Sequence, residues 1–443
     1  MDRFHDFFRR ASLFNHDISA LQKGEELVSY VLFDTIQDVR KHLSVATEAQ
    51  RKQRQKTFFN PPIAKRSRLG QGIHDRGEAF VFADEPVHQS DSQGLSNHFP
   101  AHGKLMSVLR KTIKSGQEWD VTVTAETWGI DESEELYTSV NVGELILEPG
   151  AKIVVRGNVF SLVCERVISN NSASESVEDY QIGILPTPFS LDTRRGLENG
   201  QKGKPGTTGN SGKDGLSPIV QSSLLGLYLA GPIAPDQMDG EDGRNGADGK
   251  NGGHGRNGGM SKIAEITIGH LEGNLQLFSQ AGKGGDGGDG GNGGNGGNGG
   301  NGSDGNKLLT GVLEGGKGGN PGNGGNGGHG GNGANGGLSS NIYITLPPHQ
   351  EKQCTITSLP SPPGKKGTGG RFGLGGEGGK PGRFSNPESQ PLSGKNGIAG
   401  SDGRPGKQRD APWVFLNEKP IWTAVRESNH LSPINETINY QPV

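Results

Sequence analysis

The sequence predicts a mixed fold: an N-terminal helix, a small β domain, then a six-tract polyglycine/polyproline-II bundle interleaved with β connectors. Three observations predict it. Of 443 residues, 77 are glycine, and 64 of these lie between Gly200 and Gly406. Within that window the glycines recur every third residue. Short apolar runs that alternate like strands separate the glycine tracts. Only 30% of the chain is hydrophobic, too little for a conventional two-layer core along its whole length.

Taken in order, residues 1–56 read as a helical arm. Asn15 or Asp17 can cap it, and Leu21, Val28, Val31, Leu32, Ile36, Val39 and Leu43 follow helical spacing. From Arg40 to Arg68 the chain is basic, including Arg51, Lys52 and Arg54, which reads as a solvated helix face or a docking arm for a partner. Residues 57–104 mix polar residues with Pro and His and read as a linker. Residues 105–195 read as a β domain, with alternation at Val121 and Val123 and apolar runs at Leu145–Leu147 and Ile153–Val163, broken at Pro149-Gly150 and Gly157-Asn158.

Six glycine tracts follow, at 200–215, 240–258, 282–305, 315–337, 364–382 and 394–406. Collagen would need glycine in this phase but also far more proline than the four residues the tracts hold. A flexible linker needs no phase at all. A threefold extended helix explains the period: its N–H and C=O groups point outward, and a row of glycines lets a neighbouring backbone approach and pair with them. Tracts three and four carry two glycine rows, among them Gly285, Gly288, Gly291, Gly294 and Gly297 in one and Gly325, Gly328 and Gly331 in the other. They are expected inside the bundle. Tracts one, two and six, with one row, are expected at its edges. The nine residues between tracts three and four are too few to run back along a tract, so these two should be antiparallel neighbours.

Apolar burial must come from the connectors, where Ile263, Ile266, Ile268, Leu275, Leu277 and Phe278, and then Ile342, Ile344, Leu346 and Ile356, alternate like paired strands. The segment 411–443, with Trp413, Phe415, Ile421 and Trp422, is expected to close onto the β domain.

These tracts, GGN-rich at the centre, resemble the glycine-rich bundles of T-even-type phage tail-fibre adhesins and of a springtail antifreeze protein, over about residues 200–406. In those families polyproline-II helices pack around glycine, and in the adhesins loops at one end recognise a receptor. The resemblance implies such a role for the connectors 216–239 and 346–363. The first holds an apolar cluster between prolines: Leu224, Leu225, Leu227, Tyr228 and Leu229. It is the candidate binding loop, since large exposed apolar patches mark interaction sites.

Chemistry-bearing motifs are scarce. GxGxxG recurs in the tracts without the strand and helix that give it meaning. No zinc spacing, EF-hand loop or nucleophile–base pair stands out, so no cofactor, metal or catalytic residue is assigned. A net charge of −3 points to no nucleic acid. Two cysteines exclude a disulfide scaffold; Cys164 and Cys354 read as buried thiols, with their pairing left open by the sequence. The N-terminus has no signal-peptide pattern, which fits cytoplasmic synthesis with non-classical release or assembly into a particle, and no transmembrane segment is expected. Polar rows such as Asn292, Asn295 and Asn298 are expected to form outward ridges.

The functional expectation is a non-enzymatic structural and binding protein, adhesin-like, that presents loops to a cell-surface receptor or glycan. It would join a larger assembly through its N-terminal helix. The alternatives are a toxin-like or secreted effector using the bundle as scaffold, and an ice binder.

Overall fold

The computed structural model describes residues 4–58, 81–82, 99–130, 135–171, 176–188, 198–386 and 390–421. The expected linker and the last 22 residues lie mostly or wholly outside them.

The N-terminal region is not one helix. α1 (His5–Leu13), α2 (Ile18–Gln22), α3 (Ile36–Leu43) and α4 (Glu48–Phe58) are interrupted by β1 (Glu26–Phe33). The sequence ELVSYVLF carries two valines and two aromatics in eight residues, and strand propensity overrides the helical spacing of Val28 and Val31 there. Asp17 and Thr35 cap α2 and α3 by accepting backbone N–H bonds.

From residue 101 the chain passes alternately through two sheets. To the first it gives β2 (Ala101–Ile113), β4 (Leu136–Leu147), β6 (Val159–Ser169), β10 (Ala264–Ile268), β15 (Ile342–Thr345) and β17 (Val414–Leu416). To the second it gives β3 (Glu118–Asp120), β5 (Lys152–Arg156), β7 (Ile182–Leu185), β12 (Leu275–Gln280) and β16 (Cys354–Leu359). Two small hairpins lie elsewhere, β8 (Val220–Ser223) with β9 (Gly226–Leu229) and β13 (Asn306–Leu308) with β14 (Gly311–Leu313). The short β11 (Leu271–Glu272) pairs with β6, and β18 (Lys419–Ile421) pairs antiparallel with β17. The first sheet has nine strands in the order β1-β2-β4-β6-β10-β15-β17-β18, with β11 off that path, and the second has five, β16-β12-β7-β5-β3. Apart from β1 and β18 at the two ends of the first sheet, every pairing within these two sheets is parallel.

The result is a parallel coil of strands. Alternate residues such as Phe160, Leu162 and Cys164 of β6 turn inward and meet Ile182 and Ile184 of β7 in one continuous core between the sheets. The outer face of the first sheet carries Tyr137, Tyr343 and Phe415, packed under Ile36, Val39 and Leu43 of α3.

This architecture corrects the expected fold class. The protein is not a polyproline-II bundle with interposed connectors, nor a collagen-like repeat; a nine-stranded mixed sheet organises it. The apolar connectors do not pair with themselves. β10 lies between β6 and β15 in one sheet, and β12 lies between β7 and β16 in the other.

The glycine tracts form three excursions from one corner of this coil, between β7 and β10, β12 and β15, and β16 and β17. They hold neither helix nor strand. Each tract bonds to the one before it in the chain, running antiparallel, and to the one two places on, running parallel. Tracts one, three and five therefore form one layer and tracts two, four and six a second. Tracts three and four each meet four others, tracts two and five meet three, and tracts one and six meet two.

The layers continue the sheets, and three of the four tract pairs keep the register of the strands they extend. Ala264 of β10 lies opposite Ile342 of β15, an offset of 78 residues, and tract two meets tract four at the same offset of 78. Leu275 opposite Cys354 and tract three against tract five share an offset of 79. Ile342 opposite Val414 and tract four against tract six share 72. The exception is the first pair: Ile182 opposite Leu277 is offset by 95, while tracts one and three meet at 87.

One triplet shows the bonding. Gly293 N–H donates to the Arg371 carbonyl of tract five (2.8 Å) and Gly294 N–H to the Ala247 carbonyl of tract two (2.9 Å). The Gly294 carbonyl accepts from Gly325 of tract four, and the Asn295 carbonyl from Gly209 of tract one. A Cβ on Gly294 would collide with the Thr207 carbonyl. None of the tract glycines has positive φ, so glycine serves close approach here, not an unusual backbone angle.

The polar rows are more than outward ridges. Asn295 Oδ1 accepts the Leu374 N–H (2.9 Å), and Asp286, Asp289, Asn292, Asn298, Asn301 and Asp304 do the same for every third residue of tract five. Tract two serves tract four through Asp239, Asp242, Asn245, Asp248, Asn251, His254 and Asn257. This side-chain ladder satisfies the N–H that glycine bonding leaves over. The equivalent positions of tracts five and six hold no Asn or Asp (Lys365, Thr368, Arg371, Leu374, Glu377 in one; Lys395, Ile398, Ser401, Arg404 in the other). The outward N–H groups of Gly369 and Gly375 are instead closed by Asp402 and Asn396 of tract six.

Candidate recognition tip

Because tracts one, three and five leave the coil and two, four and six return to it, the three turns joining them share one end. The first is the β8–β9 hairpin, whose two-residue turn is Leu224-Leu225. These side chains are 107% and 83% exposed. Ser223 Oγ braces the turn, accepting from Leu225 N–H (3.3 Å) and donating to the Gly226 carbonyl (3.0 Å). Gly226 has φ +135°, a value that a side chain would strain. Tyr228 is exposed and donates to Gln221 Oε1 (2.7 Å). Leu227 and Leu229 are half-buried.

The second turn is the β13–β14 hairpin, with Leu309 and Val312 exposed. Leu309 N–H donates to the Leu227 carbonyl (2.9 Å), which ties the two hairpins side by side. The third turn contributes exposed Phe384 and Leu392. Behind the apices, Met238 is buried, and its carbonyl accepts from Ser303 N–H (2.9 Å), anchoring the return into tract two. Lys213, Lys307, Lys317 and Arg383 stand exposed near this end, as do Asp214, Asp236, Asp304 and Glu314, so neither sign dominates.

Of the five residues singled out in the first connector, Leu224, Leu225 and Tyr228 reach solvent, while Leu227 and Leu229 support them. The connector 346–363 is elsewhere: it contains β16, in the second sheet, at the opposite end of the tracts. Sequence reasoning missed Leu309, Val312, Phe384 and Leu392. The signal available was a leucine pair in a nine-residue connector too short to fold on its own. The glycines of the two double rows all lie in the tract interior: a Cβ on Gly285, Gly288, Gly291, Gly297, Gly325, Gly328 or Gly331 would strike a neighbouring carbonyl.

Burial pushes the Cys164 thiol up to about 12, and both cysteines are free thiols. Among the described residues no cluster of His, Cys, Asp and Glu is arranged to hold a metal ion. Arg54, expected on a solvated face, is fully buried on the outer face of the first sheet. It pairs with Glu265 (2.6 Å) and Glu418 (2.6 Å) and lies over the Tyr343 ring. Burial pulls its guanidinium down, but the two carboxylates outweigh that and hold it above the ordinary arginine range. This cluster clamps α4 to the coil.

No described helix is long and apolar enough to cross a membrane. No protein-family model, curated protein or solved structure matches the chain.

Proposed function

We propose that this is a non-enzymatic attachment protein whose coil and glycine array hold an apolar tip away from the body of the molecule for contact with a cell surface. The observation that carries this reading is the gathering of exposed Leu224, Leu225, Tyr228, Leu309 and Val312 at the far end of a scaffold with a fixed register. Exposed apolar side chains in a cluster are costly in water and mark contact sites. The flat faces of the array are weaker candidates for glycan or ice, because their Asn and Asp oxygens already accept bonds from the neighbouring tract.

The test is binding of labelled full-length protein to a panel of bacterial and eukaryotic cells. Replacing 222–227 by Gly and Ser is expected to abolish binding to whichever cells the wild type decorates. Binding that survives this replacement would move the site off the tip. Lysis of the decorated cells by wild-type protein would favour the effector reading instead.

A further inference from the structure

We infer that the tip's partner is the phospholipid bilayer itself, entered by the hairpin apices without a requirement for anionic headgroups. This rests on the tip being the functional end. Two-residue hairpin turns ordinarily carry Asn, Asp or Gly, because those residues suit the backbone and water. Here the turn of β8–β9 is Leu224-Leu225, and the turn of β13–β14 opens with Leu309. No demand of the fold explains Leu224 and Leu225, which are 107% and 83% exposed; Leu309 lies against Gly226 of the first hairpin and is 53% exposed.

Large apolar side chains are exposed on all three turns, Leu224, Leu225, Leu309, Val312, Phe384 and Leu392 among them. A stable protein interface or dimer needs a broad, well-matched surface, and turn residues as fully exposed as Leu224 and Leu225 stand clear of any such surface of their own chain. An acyl-chain layer needs no matching surface, and protruding leucines gain by leaving water whatever the lipid packing.

Two further features fit a bilayer. Tyr228, apolar in body and hydrogen-bonded at its hydroxyl to Gln221, is suited to the headgroup level behind the leucines. The nearby charges balance: Lys213, Lys307, Lys317 and Arg383 against Asp214, Asp236, Asp304 and Glu314. A surface that relied on anionic lipid would carry an excess of Lys and Arg. The hydrogen bond from Leu309 N–H to the Leu227 carbonyl holds the two hairpins together, so their apices would enter as one wedge with little ordering left to do.

The experiment is co-sedimentation of the full chain with phosphatidylcholine vesicles and with vesicles that also contain phosphatidylserine. The variant Leu224→Ser/Leu225→Ser/Leu309→Ser alters exposed positions, and its circular dichroism checks that the fold survives. Wild type is expected to bind both vesicles equally, and the variant at least about tenfold more weakly. Binding only to phosphatidylserine vesicles, or equal binding by the variant, would overturn the inference. So would no sedimentation with either vesicle. Protease-stripped cells separate this from the broader reading: tip-dependent cell binding that vanishes with surface proteins keeps the tip but points to a protein receptor. Cell binding that never depends on the tip sinks both.

Discussion

The coil and the glycine array share a register but are held together by opposite means. In the coil, side chains do the work: Phe160, Leu162, Ile266 and Ile344 fill the space between two sheets, and backbone pairing follows from strand alternation. In the array there is almost no side chain to bury. Its tracts approach until carbonyls of one lie where side chains of the other would be, and the interior is a lattice of backbone bonds completed by Asn and Asp oxygens. A core of leucine and isoleucine can absorb a methyl group by repacking. A lattice of backbone cannot, because nothing in it rotates away.

The largest effect expected from this difference is that of one methyl group in the array. Gly294→Ala puts Cβ against the Thr207 carbonyl, so tract one must move off and its bonds from Gly206 and Gly209 are lost with it. A loss beyond the ~3 kcal/mol of ordinary overpacking is expected. Gly231→Ala, at a position where a Cβ meets nothing within 4 Å, is the neutral control. Thermal unfolding reads the loss, and hydrogen exchange at tracts one to five locates it. Equal stability of the two variants would break the comparison.

A second expectation concerns the coil. Arg54→Met takes the ion-pair partner from Glu265, 1% exposed, whose Oε2 keeps the Val45 N–H, and should cost about 3 kcal/mol, the low end for a broken buried pair, because that bond remains and α4 can lift away. The comparison is sharpened if exchange then rises along α3 and α4 while the glycine tracts stay protected. Loss of protection in the tracts would mean that the array depends on the clamp.

These two regions were not equally legible in the sequence. The period of three stood out because every triplet repeats one steric demand, and each such glycine can be named from its phase. The coil did not stand out, since its partners are far apart in the chain: β6 and β10 pair across nearly a hundred residues that include two whole tracts. Local alternation located Ile266 and Ile344 as strand residues without saying that they lie side by side. In the N-terminal region, Val28 and Val31 fit a helix by spacing, and their strand propensity prevails where the segment pairs with β2. Arg54 read as solvated because its carboxylates, Glu265 and Glu418, are hundreds of residues away. At the tip, the leucines of the first connector were visible as a cluster, whereas Leu309 joined them only through the antiparallel return of tract four. The side-chain ladder was visible as rows but not as bonds, since its acceptors serve a tract 72 to 87 residues on.

The smallest expected effect lies in that ladder and separates its charged rungs from its neutral ones. Asp286 and Asp289 accept the N–H groups of Lys365 and Thr368, and these bonds, helped by the Lys283 ammonium at Asp286 and the Thr368 hydroxyl at Asp289, hold both carboxyls below the ordinary aspartate range. A carboxyl with a lowered folded pKa contributes stability that is full above its unfolded pKa of about 3.9 and is lost as pH falls through the lower folded value. Asn292, Asn295 and Asn298 make the same bond with a group that does not titrate. The double variant Asp286→Asn/Asp289→Asn therefore keeps the acceptors and removes the proton dependence. Between pH 6 and pH 3 the thermal midpoint of wild type should fall further than that of the variant, with other carboxylates contributing equally to both. Since both rungs lie near the sheet end of tract three, the acid-induced loosening should begin at the junction of array and coil and leave the tip hairpins unchanged. Parallel pH profiles for the two proteins would show that the charged rungs bond no more strongly than the neutral ones.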